Sequence, residues 1–297
     1  MAGSGRSGRL FKNRNAYLLI APNFFFLFAF LVAPFLWVVL LSFQKGTVLG
    51  PKTFIGFTNY LDLARNRLLV KSILNTLKYT VTVIPSVFVI GMVIALLLNG
   101  IRRLRNFFRT LLFIPLLSSI VVAAIVWRYL VYPDYGPLSR LLGFLRVPAP
   151  NWFGDSKVVI FTIVMVELWR GLPFYIVTFL AGLQSVPREM IEASYIDGAS
   201  RFQSLIHVVF PNMKPILTFC LVMATIWALQ LFDSVYVLTR GGPSSASSTI
   251  VWSIYENIFF FNRVGRGATM CVVLILLISV MTFVNLKVTR FHEEQVV

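Results

Sequence analysis

The sequence predicts an all-α membrane protein with six transmembrane helices, and two observations carry that prediction. First, 58 % of the 297 residues are hydrophobic and 13 % are charged, whereas soluble domains carry about 25 % charged residues. Second, six continuously apolar stretches each reach the roughly 20 residues that a helix needs to cross the hydrocarbon layer. These stretches are Tyr17–Phe43, Ser72–Asn99, Thr110–Tyr132, Val158–Leu183, Pro215–Thr239 and Gly267–Val288. Composition therefore excludes disordered, collagen-like and ordinary soluble proteins.

The stretches favour helices over a β-barrel because their apolar residues run continuously rather than alternating with polar ones. The first stretch is longer than a signal peptide requires and no cleavage site follows it, so we expect it to be retained. Four prolines lie within the stretches. At Pro34, Pro85 and Pro115 we expect packing kinks. At Pro173, which closely follows Gly171, we favour a broken helix that lines a cavity.

Basic residues outnumber acidic ones, 27 to 11, which gives a formal charge of +16. Such an excess is typical of nucleic-acid or membrane-surface binding, and the apolar fraction favours the membrane. Thirteen basic residues fall on one side and eleven on the other, but Arg102, Arg103, Arg105 and Arg109 are clustered. This cluster places both termini in the cytoplasm. We therefore expect residues 1–16 to form a cytoplasmic arm and residues 291–297 a cytoplasmic tail.

Few residues are available for metal or disulfide chemistry. Cys220 and Cys271 both lie within apolar stretches, where cysteine usually acts as a small apolar side chain. The chain has two histidines, His207 and His292. These counts predict no metal site and no disulfide framework.

The connection 184–214 is long for a structureless loop. Pro187 suits a first helical turn, Gly198 suits the left-handed residue after a helix, and Ser200 suits the cap of a second helix. Phe202, Leu205, Ile206 and Val209 follow at helical spacing, and we expect Pro211 to end this helix. Physics alone leaves two interpretations open: a helix lying on lipid, or a helix docked in a partner protein.

Three strings in this connection match a known pattern: Glu192-Ala193-Ser194, Asp197-Gly198-Ala199 and Val208-Val209-Phe210-Pro211. They resemble the EAA loop of ATP-binding-cassette (ABC) importer permeases, above all the sugar-permease branch with the maltose and glycerol-3-phosphate systems. Segments Ile55–Tyr60, Leu180–Pro187 and Leu238–Pro243 are similar to the same family in chain order. The sequence departs from the pattern twice, with Ser194 in place of alanine and Phe210 in place of leucine.

The resemblance implies a type I ABC importer permease fold for residues 17–290, with 184–214 as a cytoplasmic EAA coupling loop. In the family, a short helix of this loop sits in a cleft of a separate ATPase, and Glu192 would pair with a basic residue there. A rigid helix at a glycine turn suits that role, because it transmits a rotation as a rigid body. The residues implied in coupling are Glu192, Ala193, Ser194, Asp197, Gly198, Ala199 and Pro211.

The same resemblance implies the partners. They are two copies of an ABC ATPase, a second and different permease chain, and an extracytoplasmic solute-binding protein, assembled in the cytoplasmic (inner) membrane. The chain contains no G-x-x-x-x-G-K-[ST] phosphate loop. We therefore expect no cofactor in this chain, with ATP and Mg²⁺ bound by the partner ATPase, and no nucleic-acid partner.

Polar residues within two stretches are candidates for a solute site, because ionisable groups in a membrane are costly. Glu167 and Arg170 lie three residues apart in the fourth stretch, and Trp227, Gln230 and Asp233 recur every three residues in the fifth. Counting 1.5 Å per residue places both groups about 14 Å below the outer end of their spans, which predicts one shared cavity. Two alternatives remain: Glu167 and Arg170 form a structural ion pair between helices, and Gln230 and Asp233 pack or form an outer gate.

An aromatic ring beside amide and carboxylate groups suits a carbohydrate, so we expect a sugar importer that works by alternating access. The alternative within this class is a polyol phosphate such as glycerol-3-phosphate, which Arg170 would bind. A lipid-processing enzyme using Glu167 and Asp233 is a weaker alternative, since no span contains a histidine to act as base. A channel would need a charged ring or a carbonyl filter motif, and the chain has neither.

Overall fold

A computed structural model describes residues 18–101 and 105–291 as a helical protein with one short β-hairpin. The helices are α1 (Leu18–Ser42), α2 (Thr58–Arg65), α3 (Arg67–Gly100), α4 (Arg105–Leu117), α5 (Ile120–Leu130), α6 (Pro137–Phe144), α7 (Val159–Ser185), α8 (Arg188–Ile196), α9 (Arg201–Ser204), α10 (Lys214–Leu229), α11 (Asp233–Leu238), α12 (Ile250–Tyr255) and α13 (Val264–Phe291). The antiparallel strands β1 (Gln44–Gly46) and β2 (Lys52–Phe54) pair Lys45 with Thr53.

Three π-helical turns interrupt or extend these helices. Phe28–Val32 lies within α1, Leu205–Val209 and the turn Phe210–Asn212 continue α9, and Glu256–Phe260 continues α12. Two of the three directly precede a proline, Pro34 or Pro211. A widened turn suits that position, because a proline clashes with the carbonyl four residues before it in a regular helix.

The helical membrane architecture is confirmed. Among the described residues, five helical segments are long and apolar enough to cross a membrane, counting α10 and α11 as one, and there are six if the bent pair α4–α5 is counted as one broken span. The predicted cytoplasmic arm 1–16, residues 292–297 of the predicted tail, and the basic residues Arg102 and Arg103 lie outside the described ranges. The orientation of the termini stays a prediction.

The third span is not the single helix that the sequence predicts. Its two halves, α4 and α5, meet at an angle of 103° around Ser118 and Ser119. Pro115 has no backbone N–H, so the last turn tightens, with the Ser118 N–H donating to the Pro115 carbonyl at 3.2 Å. Ser119 is then extended, with ψ at 136°.

The fifth span is also broken, and the predicted break in the fourth span is wrong. α7 runs unbroken through Gly171 and Pro173. Pro173 is buried within α7, whose most extensive contact is with α3. In the fifth span, α10 ends at Leu229 and α11 begins at Asp233. Trp227, Gln230 and Asp233 therefore do not share one helical face.

The prediction that Pro211 ends the second helix of the 184–214 connection is wrong as well. The turn Phe210–Asn212 is helical, and the Phe210 N–H donates to the carbonyl of Leu205, five residues earlier. This longer bond widens the helix where the proline ring enters. α10 then begins at Lys214, so the connection passes almost directly into the fifth span.

The core centres on the contact between α3 and α7, the most extensive helix pair. Gly91 permits this approach, because a Cβ there would stand 3.2 Å from the ring of Phe179, a fully buried side chain. By contrast, α1 exposes a band of large apolar side chains, as expected for a helix whose outer face contacts lipid.

Candidate functional site

All five side chains proposed for a solute site line one cavity of about 370 Å³, which we call the polar cavity. Glu167 and Arg170 come from α7, Trp227 from the end of α10, and Gln230 and Asp233 from the break between α10 and α11. Its other lining residues are Leu116, Gly171, Phe174, Leu231 and Phe232. The predicted convergence of the two groups thus occurs, although through a broken helix rather than along one face.

Glu167 is the most connected residue of the polar cavity. Its Oε2 accepts a hydrogen bond from Arg170 Nη2 at 3.3 Å, and its Oε1 accepts a short hydrogen bond from the Ser234 hydroxyl. The ion pair of the structural alternative is therefore present, although it forms within one helix and not between helices. The link between helices is instead the bond from Ser234 in α11 to Glu167 in α7.

Arg170 has a donor to spare. Its Nε is buried and has no hydrogen-bond partner among the described residues, while its Nη2 holds Glu167. A buried donor without a partner is costly, whereas the Arg170 side chain as a whole keeps 34 % of its surface exposed. The cavity carries two carboxylates, Glu167 and Asp233, against this one guanidinium, for a formal charge of −1.

One wall of the polar cavity is aromatic. The indole of Trp227 meets the Phe174 ring edge-to-face at a centroid distance of 5.0 Å and the Tyr175 ring at 6.0 Å. Trp227 nevertheless stays 45 % exposed, so part of its ring faces the cavity. The two contacts fix the ring, which leaves a preorganised apolar face beside the polar groups.

The broken segment 230–232 is held by residues that sequence reasoning missed. The carbonyl of Leu231, freed by the break, accepts a hydrogen bond from the Thr249 hydroxyl at 2.8 Å. Thr249 also caps α12, and the N–H of Ile250 donates to Thr76 Oγ1 in α3 at 2.9 Å. Ser234 was missed although it adjoins Asp233, because a lone serine in an apolar helix usually bonds its own backbone.

The 184–214 connection, which we call the coupling loop, forms the predicted turn around Gly198. Gly198 has φ +85°, its N–H donates to Tyr195, and the N–H of Ala199 donates to the Ser194 carbonyl at 2.9 Å. This pair of bonds is the Schellman motif that ends α8. Ser200 then caps α9 in a capping box with Gln203.

Ser194 and Ser204 join the two helices of the coupling loop. The Ser194 hydroxyl lies 2.8 Å from that of Ser204 and 2.7 Å from the Ile191 carbonyl, and both serines are buried. The serine in place of the usual alanine therefore packs without loss and adds a polar link. Phe210, the second departure, is half-buried against the core.

The coupling loop exposes apolar side chains. Ile196 is 86 % exposed and Phe202 70 %. The predicted amphipathic face is only half correct, because Leu205 and Val209 pack inward while Phe202 and Ile206 face outward. The proposed coupling residues Glu192, Ala193, Asp197 and Pro211 are also exposed. Glu192 forms no ion pair with any described residue, which leaves its carboxylate free for a partner's base.

Metal-binding side chains do not cluster in residues 18–101 and 105–291, where no three His, Cys, Asp or Glu side chains are grouped. Cys220 and Cys271 are free thiols. His207 instead lies with its Nδ1 3.0 Å from the Gln203 carbonyl, in the coupling loop.

Comparison with known proteins agrees with this geometry. The chain is 31 % identical to the trehalose/maltose transport system permease protein MalF of Thermococcus litoralis, over 94 % of each chain. It is 32 % identical to the arabinooligosaccharides transport system permease protein AraP of Bacillus subtilis, over 94 % of this chain and 90 % of that one. A bacterial ABC transporter involved in the import of the acidic polysaccharide alginate shares the fold, with a TM-score of 0.82 at 20 % identity, covering 95 % of this chain and 98 % of the other.

Residues 87–292 match the family described as "Binding-protein-dependent transport system inner membrane component". That range covers the polar cavity and the whole coupling loop. The chain therefore belongs to the family of binding-protein-dependent transport system inner membrane components, the permeases of ABC importers.

Proposed function

We propose that this chain is the permease subunit of an ATP-driven importer that moves a neutral carbohydrate across the cytoplasmic membrane by alternating access. The observation that carries the proposal is the polar cavity, where Trp227, Gln230 and Asp233 meet Glu167 and Arg170. Its volume of about 370 Å³ lies within the range of small-molecule sites. Because the chain belongs to a family of transport permeases, we no longer propose that it is a lipid-processing enzyme.

The chemistry of the cavity favours a sugar. The fixed face of Trp227 suits the C–H face of a pyranose, while Gln230 and Asp233 offer an amide and a carboxylate to hydroxyl groups. The partly exposed guanidinium side chain of Arg170 supplies further donors. The names of the relatives point the same way, because MalF and AraP are permeases of trehalose/maltose and arabinooligosaccharide systems.

The cavity charge argues against an anionic substrate. A polyol phosphate would meet two carboxylates and a single guanidinium that Glu167 already engages. Like charges in a low-dielectric site repel strongly. A neutral sugar avoids this cost and uses the same donors and acceptors, so glycerol-3-phosphate becomes the alternative that the experiment must exclude.

The coupling loop is the proposed contact with the ATPase. Exposed Ile196 and Phe202 offer apolar surface, and the free carboxylate of Glu192 offers an ion pair. We propose two ATPase copies that bind ATP and Mg²⁺, a second and different permease chain, and an extracytoplasmic binding protein. Both termini then lie in the cytoplasm, with residues 17–290 as one membrane domain.

The test is uptake into proteoliposomes that contain the complete complex, with the binding protein and a panel of neutral sugars plus glycerol-3-phosphate. We expect one or more neutral sugars to be imported, and the double variant Gln230→Ala/Asp233→Ala to lose at least about tenfold of that uptake, as two lost hydrogen bonds imply. The control Asp134→Ala/Asn151→Ala removes polar groups from a separate cavity and keeps uptake. Undiminished transport by the first variant, or import of glycerol-3-phosphate alone, would refute the proposal.

A further inference from the structure

A second cavity, of about 570 Å³, lies between the β-hairpin, α2 and the start of α13, and we call it the hairpin cavity. It shares no lining residue with the polar cavity. Its ionisable lining residues are Lys45, Asp62, Arg263 and Arg266. The proposed solute site and the coupling loop use none of these residues.

The hairpin cavity lies at the edge of the hydrocarbon layer. α1 ends at Ser42 and packs against α13, which begins at Val264. The apolar stretches of these two spans end at Phe43 and begin at Gly267, so Lys45 and Arg266 are within two residues of the boundary. At about 1.5 Å per helical residue, or about 3.4 Å per strand residue, the cavity is at headgroup depth.

The cavity has an excess of positive charge. Arg266 Nη2 pairs with Asp62 Oδ2 at 3.2 Å, which neutralises one cation. Lys45 and Arg263 are exposed and have no carboxylate partner among the residues that the structure describes. The guanidinium of Arg263 lies over the Phe261 ring at 5.5 Å. Two cations are thus left to bind an anion.

Exposed phenylalanines lie on or beside the elements that form the cavity, and Phe261 lines it next to Arg263. Phe54 and Phe57 project from the hairpin side, and Phe260 and Phe261 from the α13 side, all more than half exposed. Phenyl rings are unfavourable in water, so a group of exposed ones favours an apolar partner at this surface. Their position fits acyl chains beside a headgroup better than the surface of a soluble protein.

We propose that the hairpin cavity binds the phosphodiester headgroup of an anionic phospholipid. Lys45 and Arg263 contact the phosphate oxygens, Arg266 stays paired with Asp62, and the aromatic side chains contact the glycerol and acyl chains. The lipid then bridges the first and last spans of the chain at one end. This site is independent of the solute and of the ATPase.

The test is native mass spectrometry of the full-length permease titrated with dioleoyl-phosphatidylglycerol or dioleoyl-phosphatidylcholine. We expect the unmodified chain to bind the anionic lipid more tightly. In Lys45→Gln/Arg263→Gln the affinity for the anionic lipid should fall about 30-fold, given about a factor of five per basic residue. The control Arg140→Gln/Lys157→Gln removes two exposed charges elsewhere and should keep the affinity for the anionic lipid unchanged.

Three results would overturn the proposal. The first is equal binding of the two lipids by the unmodified chain, and the second is an equal loss of anionic lipid in both double variants. The third is displacement of the bound lipid by millimolar inorganic phosphate, which would identify a site for a free anion. Retention of the lipid in phosphate, with loss only in Lys45→Gln/Arg263→Gln, supports the headgroup site.

Discussion

The coupling loop and the segment 239–257, which we call the 239–257 loop, show opposite burial. In the coupling loop, apolar side chains such as Ile196 and Phe202 lie outside. In the 239–257 loop, polar side chains lie inside: Ser247, Ser248, Thr249, Ser253 and Asn257 are all buried. The coupling loop thus exposes apolar side chains, whereas the 239–257 loop buries polar side chains.

The buried hydroxyls of the 239–257 loop find their partners within the chain. Ser72 in α3 lies 2.9 Å from Ser248 and 2.6 Å from Ser253, oxygen to oxygen. Asn75 donates to the carbonyls of Ser245 and Ser248. Buried polar groups are stable only when they are bonded in this way. The buried hydroxyls of the 239–257 loop therefore need no partner from another chain.

The coupling loop has internal contacts but also a large exposed apolar surface. Its two helices are joined by the Ser194–Ser204 contact and by the Gly198 turn, while its outward surface stays apolar. Exposed apolar patches of this kind mark interaction sites. The difference indicates that the 239–257 loop is stabilised by contacts within this chain, whereas the apolar surface of the coupling loop is available to the proposed ATPase.

The largest effect is expected from Gly198→Pro. Proline fixes φ near −65°, whereas Gly198 has φ +85°, so the turn between α8 and α9 cannot form. We expect loss of substrate-stimulated ATP hydrolysis in the reconstituted complex, with membrane insertion intact. Gly100→Ala, at a glycine with open space around it, serves as a control and should stay coupled. A fully coupled Gly198→Pro complex would contradict the role of the loop.

The next effect concerns the exposed apolar side chains. Ile196→Ser/Phe202→Ser should weaken binding of the ATPase by about 30-fold or more, because each large apolar side chain buried at an interface is worth at least about 1 kcal/mol. The stability of the isolated chain should not change. Affinity measured by titrating the ATPase into permease nanodiscs tests this, with Phe259→Ser, an exposed phenyl outside the loop, as control. Equal affinities would contradict the docking surface.

A smaller effect is expected in the 239–257 loop. Thr76→Val removes the oxygen that accepts from the Ile250 N–H, which leaves a buried donor unpaired at a cost of about 1–3 kcal/mol. Thermal unfolding in detergent should show a lower Tm. Thr82→Val is the matched control, because the Thr82 hydroxyl bonds only the Lys78 carbonyl of its own helix. Equal Tm values for Thr76→Val and Thr82→Val would contradict a stabilising role for the bond between Ile250 and Thr76.

The smallest effect concerns Glu256, next to the buried Asn257. Partial burial raises the pKa of the Glu256 carboxyl above its ordinary value. The stability linked to its proton is present below the unfolded pKa of about 4.3 and is lost as the pH rises through the folded value. Glu256→Gln should therefore raise Tm slightly at pH 7, and the gain should vanish near pH 4. A gain that persists at pH 4 would exclude this cause.

Local signals in the sequence predicted much of this molecule. The spans follow from apolar length, and the Gly198 turn and Ser200 cap follow from conformational and capping preferences that act within a few residues. The convergence of Glu167 and Arg170 with Gln230 followed from depth along two helices. Each of these inferences needs only local geometry.

The break in the fifth span was not predictable because its cause is tertiary. The fifth span breaks at 230–232, where Thr249, 18 residues away along the chain from Leu231, satisfies the freed carbonyl. In contrast, Pro173 is buried inside an unbroken α7, and membrane helices tolerate such a proline when neighbouring helices pack around it. Ser234 gained its role from Glu167, 67 residues away. Periodicity in one segment carries no information on such partners.

Hydrogen–deuterium exchange of the permease in nanodiscs, with and without the ATPase, tests the central distinction most directly. We predict that amides of residues 188–212 exchange faster in the isolated permease and become protected when the ATPase is added. Amides of residues 248–257 should be protected in both states, because their partners lie within the chain. Protection of 188–212 that does not change with the ATPase, or protection of 248–257 that appears only with it, would contradict the account.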